Sequence, residues 1–247
     1  MNFTAEQILE HTAHRQYPLP DGPHVYYQEW TQAIFLHYKA DASELQKLIP
    51  SFVTLDLYEG DAYVSLVAFT VRNAKAVIVP SFAPISDFHE VNLRTYVTDG
   101  SRPGIFFLSM EASKFSSAFL SRAITGLPYE FSSISRKNGT PHEYHSYHKK
   151  RGFHLDMMYT PSEVIPNPSA LDKWLVERYC VYMHLKRLAY RYDVHHLPWQ
   201  LQNLEISQLS CLYRAGIEEF RENTVSAHFS EGVQVLLWEQ QHYNKGI

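Results

Sequence analysis

The run FHEVNLRTYVT, residues 88–98, constrains the fold more than any other stretch of the chain. Alternation sets Phe88, Glu90, Asn92, Arg94 and Tyr96 on one face and His89, Val91, Leu93, Thr95 and Val97 on the other. The first face carries a carboxylate, an amide, a guanidinium and a phenol in register. The second is mostly apolar and needs a core. Two readings of the polar face follow: a solvated outer surface with a Glu/Arg pair, ordinary for an antiparallel strand, or the lining of a polar lumen. The next run, GIFFLSM, is apolar on both faces, so this hairpin belongs deep in a sheet. A lumenal Arg94 would need Glu90 or another acceptor, because a buried unpaired charge is costly.

Around this strand the chain reads as many strands on short connections. WTQAIFLHYKA, FVTLDLY, AYVSLVAFTV and GVQVLLWEQ have strand character, with a hairpin expected at EGD between the second and third. Asn138-Gly139 favours a tight hairpin turn. Helices are few. Thr4 with Gln7 forms a capping-box pattern, and Asp41 with Glu44 caps a short helix ending before Pro50. A helix over ASKFSSAFLSRAIT stops at Gly126, and another opens at Asn167-Pro168 with proline at its first position. No linker, repeat or low-complexity tract divides the chain, so one domain over residues 1–247 is expected. The pattern predicts a mainly β (α+β) fold, an antiparallel sheet closing into a barrel with peripheral helices.

Composition narrows the function. A net charge of -4 supplies no basic footprint for nucleic acid. Neither a signal-type apolar segment nor a membrane-length run is present, so a cytoplasmic location and no membrane partner are expected. Cys180 and Cys211 form no disulfide framework or metal cluster. The P-loop, the dinucleotide glycine fingerprint, the nucleophile elbow and HExxH are all missing, and no cofactor is expected.

Several side chains could carry chemistry. In SRAITGLPYE, Arg122 either meets the C-terminal helix dipole or clamps a carboxylate. Tyr129 is either a surface aromatic of a strand or a proton donor in a pocket. His142, His145 and His148 invite a metal reading, but strand alternation sends His145 to the opposite face, so no metal is expected there. Glu177, Arg178 and Tyr179 at a helix end read as a structural ion pair, and HHLPWQL as a buried turn.

The ordered set HYKADASELQKLIPSFVTLDLYEGDAYVSLVAF, EVNLRTYV, GIFFLSMEAS, SRAITGLPY, LVERYCVY, HHLPWQL and HFSEGVQVLLW resembles the YqjF-like family (DUF2071) of bacterial proteins of unknown function. That family resembles acetoacetate decarboxylase in fold, which implies a β-rich barrel with peripheral helices. In acetoacetate decarboxylases the segment matching SRAITGLPYE carries an arginine, a glycine and a proline at the positions of Arg122, Gly126 and Pro128. It then carries two lysines, the first of which forms an imine with the β-keto acid. Those lysines fall on Tyr129 and Glu130 here, so the resemblance implies a pocket corner without its imine-forming amine. It also sets Glu90 near a pocket glutamate, and places His148 where relatives carry arginine.

The expectation is therefore a pocket for a small organic acid or other oxygenated compound, in a chain that could also form homo-oligomers. Arg94, Tyr96, Arg122 and Glu130 would bind the ligand, and Glu90 and Tyr129 would act as acid/base groups without a Schiff base. The alternatives are a non-catalytic binding or sensing module with the same pocket, and a protein–protein scaffold whose polar strand face is solvated.

Overall fold

A computed structural model describes residues 3–78, 81–185, 188–213 and 224–242. The chain opens with α1 (Ala5–Glu10), where Thr4 and Gln7 form the expected capping box. β1 (Tyr26–Ala40) follows, then α2 (Ala42–Gln46), whose first N–H groups are accepted by the Asp41 carboxylate. Next come β2 (Thr54–Leu55), β3 (Ala62–Ala76), α3 (Ala83–Ser86), β4 (Phe88–Thr98) and β5 (Pro103–Ala112). α4 (Phe115–Thr125) ends at Gly126, which sits in the left-handed region at φ 72°. β6 (Tyr129–Phe131), β7 (Ser133–Lys137), β8 (His142–His148) and β9 (Phe153–Val164) precede α5 (Ala170–Val176). The remaining strands are β10 (Cys180–Leu185), β11 (Leu188–His195), β12 (Gln202–Leu212), β13 (Thr224–Leu237) and β14 (Gln241–His242).

β11, β10, β5, β4, β3, β1 and β13 pair edge to edge in that order, and β13 pairs back onto β11, so the sheet closes into a ring. Its contacts are antiparallel except for the parallel β5–β10 pair. Closure removes the exposed edges that an open sheet of this length would present. Inside lies a core containing Phe35, Val67, Phe69, Tyr96, Ile105, Leu175 and Trp199. From β13 the sheet continues through β12, β9, β8 and β7. This extension packs Tyr144, Leu155, Met157 and Tyr159 against Ile34, Leu36, Val91 and Leu93 on the other face of β1 and β4. β4 is therefore buried on both faces, and Glu90, Asn92 and Arg94 are at most 8% exposed. The solvated reading of its polar face does not hold.

The β1–β13 pairing contains one unusual backbone position. Gly232 on β13 lies opposite Thr31 at φ 133°, and a Cβ there would stand 2.2 Å from the Trp30 carbonyl oxygen. Only glycine fits that approach.

Three local expectations are corrected. FVTLDLY yields only β2, which pairs with β4 rather than with β3; the EGD segment is a tight turn bridging Tyr58 and Asp61, with Glu59 and Gly60 both at positive φ. β3 has β1 and β4 as partners on its two edges, which leaves no edge for a hairpin with β2. At α5 the N-cap is Ser169, reciprocally bonded with Asp172, and Pro168 precedes the cap instead of opening the helix. The β7–β8 connection is longer than a two-residue turn: Lys137 pairs with Glu143, and the loop holds a cis Thr140–Pro141 bond.

Candidate functional site

Each strand of the ring contributes to the wall of one cavity of about 440 Å³. Trp30 and Phe35 come from β1, Val67 and Phe69 from β3, and Phe88, Glu90, Asn92 and Arg94 from β4. β5 adds Ile105, Phe107 and Met110, while β10, β11 and β13 add Val181, Tyr192, Val194 and Leu237. Ile85 and Ser86 of α3 and Leu120, Ser121, Ile124 and Thr125 of α4 also border it. The wall is mostly apolar with a few convergent polar groups, the usual character of a small-molecule site.

Glu90 is the central polar group. Its Oε2 accepts from the Tyr129 hydroxyl at 2.8 Å, and its Oε1 accepts from Asn92 Nδ2 at 3.0 Å. Burial pushes the Glu90 carboxyl up to about 7, and these two hydrogen bonds only partly offset that. Burial, and then the neighbouring Glu90 charge, raise the Tyr129 phenol well above its ordinary value. Glu90 can thus exchange a proton near neutrality, while Tyr129 remains a donor.

Two guanidinium groups share the wall. Arg94 does not reach Glu90; its Nη2 donates to the Leu175 carbonyl at 3.2 Å, and its Nε has no partner. Arg178 donates from Nε to the Trp174 carbonyl at 2.7 Å and pairs through Nη1 with Asp56 at 2.6 Å, leaving Nη2 without a partner. Trp174 and Leu175 lie in the last turn of α5, where carbonyls lack intrahelical partners and the dipole favours cations. The helix end therefore holds both arginines at the cavity. Arg178 forms an ion pair, but with Asp56 rather than within the Glu177–Arg178–Tyr179 run, and it also lines the pocket, which sequence reasoning missed. Nothing local could have revealed this, since Asp56 is 122 residues away.

The other predicted residues divide. Tyr96 stands behind the wall: its hydroxyl donates to the Leu175 carbonyl at 2.8 Å and lies 2.5 Å from Ser65 Oγ, which contacts His37 Nδ1 at 2.6 Å. It braces the carbonyl that holds Arg94. Glu130, next to Tyr129 on β6, points to the opposite face, where Arg151 Nε lies 2.7 Å and His148 Nε2 3.0 Å from its Oε2. Strand alternation separates it from the cavity. Arg122 is exposed on α4 and is absent from the wall, where Ser121 and Thr125 stand instead. Its backbone carbonyl accepts the Gly126 N–H at 2.9 Å in the helix cap. On β8, exposed His145 contacts Asp156, whereas His142 stacks on Tyr159 and His148 meets Glu130. Lys75, exposed on β3, is the only lysine among the described wall residues. Lys114 is half-buried and bonds the Ala83 carbonyl at 3.2 Å.

The model of the DUF2071 family, described as an uncharacterised conserved protein, matches residues 27–234. The chain belongs to the DUF2071 family. It is 34% identical to the uncharacterised protein YqjF of Bacillus subtilis over 237 residues, covering 94% of this chain and 98% of that protein. Among solved structures, acetoacetate decarboxylase from Legionella pneumophila superposes with a TM-score of 0.60 at 14% identity, covering 93% of each chain. An acetoacetate decarboxylase-like enzyme from Sphingomonas wittichii gives 0.58 at 16% identity, covering 93% of this chain and 96% of that one. The enduracididine biosynthesis enzyme MppR, complexed with pyruvate, gives 0.60 at 9% identity, covering 92% and 93%. This DUF2071 chain thus has the acetoacetate decarboxylase-like fold. At such identities the likeness speaks for the fold alone. Among the described residues, no helix is long and apolar enough to cross a membrane.

Proposed function

We propose that this DUF2071 protein binds a small organic acid within the ring and acts on it by non-covalent acid/base chemistry. The observation that carries the reading is the pair of buried guanidinium groups, Arg94 and Arg178, among the residues that line the otherwise mostly apolar cavity. A carboxylate in the cavity would complement the positive charge of these two side chains. Glu90 supplies the exchangeable proton and Tyr129 a fixed donor, which suits proton transfer next to a carbonyl or enol. The resemblance to acetoacetate decarboxylases sets Tyr129 at the position of their imine-forming lysine, so an imine at that position is not part of the proposal. That MppR has been crystallised with pyruvate is in keeping with an acid in this fold.

Thermal unfolding with and without a panel of small carboxylates tests it. A ligand at a hundredfold excess over its Kd stabilises by about 2.7 kcal/mol, and Arg94→Gln should abolish the shift. A panel in which no acid shifts the transition would refute the proposal. Where an acid binds, turnover against keto acids separates an enzyme from a binding module.

A further inference from the structure

We infer that the acid bound in this cavity carries a long alkyl chain, which runs from the arginines to the surface between α3 and α4; the inference rests on the organic-acid reading above. Among the described wall residues four are exposed: Lys75 near the end of β3, Phe82 at the N-cap of α3, and Leu120 and Ile124 on α4. They mark the mouth. Their elements adjoin one another, since the Asn73 N–H of β3 donates to Asp87 after α3, and Ser117 Oγ of α4 donates to the Ile85 carbonyl at 2.7 Å. Phe82, Leu120 and Ile124 are 64%, 39% and 49% exposed, so the apolar lining continues out of the ring onto the surface. Phe115 and Phe119, one turn apart on α4 and both exposed, extend it further. A short acid enclosed by the ring would leave this rim in water, whereas a chain passing over it would remove apolar surface from water.

The arginines lie at the far end. Phe88, which follows α3 directly, and Arg94 both line the cavity and stand about 20 Å apart along β4. Carbonyls in the last turn of α5 hold Arg94 and Arg178 there. Phe69, Ile105, Phe107 and Met110 are among the apolar residues that line the same cavity. Glu90 takes hydrogen bonds from both Asn92 and Tyr129, so a chain that passes it leaves the carboxyl with its partners. Lys75 is a poor seat for the head group: it is exposed, 5.4 Å over the Tyr27 ring, and a surface ion pair contributes little. An elongated apolar passage with buried cations at one end and an apolar rim at the other fits an amphiphile with a carboxylate head.

Calorimetric titration of the full-length protein with butanoate, octanoate, dodecanoate and 1-octanol, each below its micelle concentration, tests this. Affinity should rise roughly threefold per methylene, so octanoate should bind at least about thirtyfold more tightly than butanoate. Octanol should be weaker than octanoate by at least about tenfold for want of the charge. The double change Leu120→Ser, Ile124→Ser, at exposed positions, should weaken dodecanoate at least about fivefold more than butanoate. Arg94→Gln should weaken octanoate at least about tenfold more than Lys75→Gln does; the opposite order would set the head at the mouth and overturn the orientation. The comparison of the four ligands uses the unmodified protein and stands whether or not these variants fold. If butanoate binds within about threefold of octanoate, the alkyl chain falls while the organic-acid reading survives. Octanol binding as tightly as octanoate overturns the organic-acid reading. Failure of every acid to bind overturns both.

Discussion

The Tyr129 hydroxyl donates to Glu90 Oε2 at 2.8 Å, joining β6 to the inward face of β4 across the β5 strand between them. That bond favours the ionised carboxyl against the effect of burial. Tyr129→Phe should therefore raise the Glu90 pKa further above 7 and destabilise the fold by about 1–3 kcal/mol. Carbon-detected titration of labelled glutamate and chemical denaturation measure the two effects. An unchanged Glu90 titration would mean that the hydroxyl does not reach the carboxylate in solution.

Glu90 also predicts a pH dependence. Its folded pKa, near 7, lies above an unfolded value near 4.5. Its contribution is therefore fully present below 4.5 and declines as pH rises toward 7, by on the order of 3 kcal/mol. His89, His195 and His196 work in the other direction. Burial lowers them to about 4, 4 and 3, so their contribution is lost as pH falls from 6.5 toward those values. Glu90→Gln should leave the acid-side loss in place and gain stability relative to the unmodified protein between pH 4.5 and 7. Parallel unfolding curves at pH 4.5 and 7, with no change in the difference, would contradict the burial of the Glu90 charge.

Asp56 is the carboxylate partner of Arg178, whose side chain is 1% exposed. Asp56→Ala should cost about 3–5 kcal/mol by leaving a buried guanidinium uncompensated. The double change Asp56→Leu, Arg178→Met should cost less than that single change, because no charge is then stranded. Denaturant midpoints of the three proteins decide the matter. A double variant less stable than Asp56→Ala would show that Arg178 contributes mainly through its stacking on Trp174 and Tyr96.

Gly232→Ala should disrupt the β1–β13 pairing, since the added Cβ would meet the Trp30 carbonyl oxygen at 2.2 Å on a backbone that disfavours side chains. A loss of several kcal/mol, or failure to fold, is expected. Wild-type stability in this variant would mean that the two strands separate there in solution.

Borohydride should trap neither acetoacetate nor pyruvate at the cavity. An imine requires an uncharged amine within reach, and the lysine that borders the described wall, Lys75, is exposed and lies over the Tyr27 ring. Mass spectrometry after borohydride treatment reads the result. A covalent adduct mapped to a cavity lysine would bring Schiff-base chemistry back.

Much of the local structure was legible because its causes are short-range. The Thr4/Gln7 and Asp41 caps, the stop at Gly126 and the alternation of FHEVNLRTYVT all follow from contacts within a few residues. The misses have two sources, a competition between local signals and strand pairings made at long range. Pro168 suggests a helix start, but Ser169 with Asp172 makes a reciprocal cap and wins the position. FVTLDLY reads as a strand, yet β3 already has β1 and β4 as partners, so β2 finds only two residues of edge on β4.

By itself, the sequence determined which β4 side chains share a face and that the chain belongs with the DUF2071 proteins; it placed Glu130 in the pocket with Tyr129, whereas in the structure Glu130 faces Arg151 and His148. Tertiary structure alone decided which of the predicted groups meet. Arg94 could have answered Glu90, but ring closure and the seating of α5 brought the Leu175 carbonyl to it instead, 81 residues away. Arg122 stayed outside because α4 turns Ser121 and Thr125 to the cavity. Alternation and capping operate over one to four residues and are written locally. A buried charge takes whichever partner the packed chain delivers, and that choice depends on strand pairings dozens of residues apart.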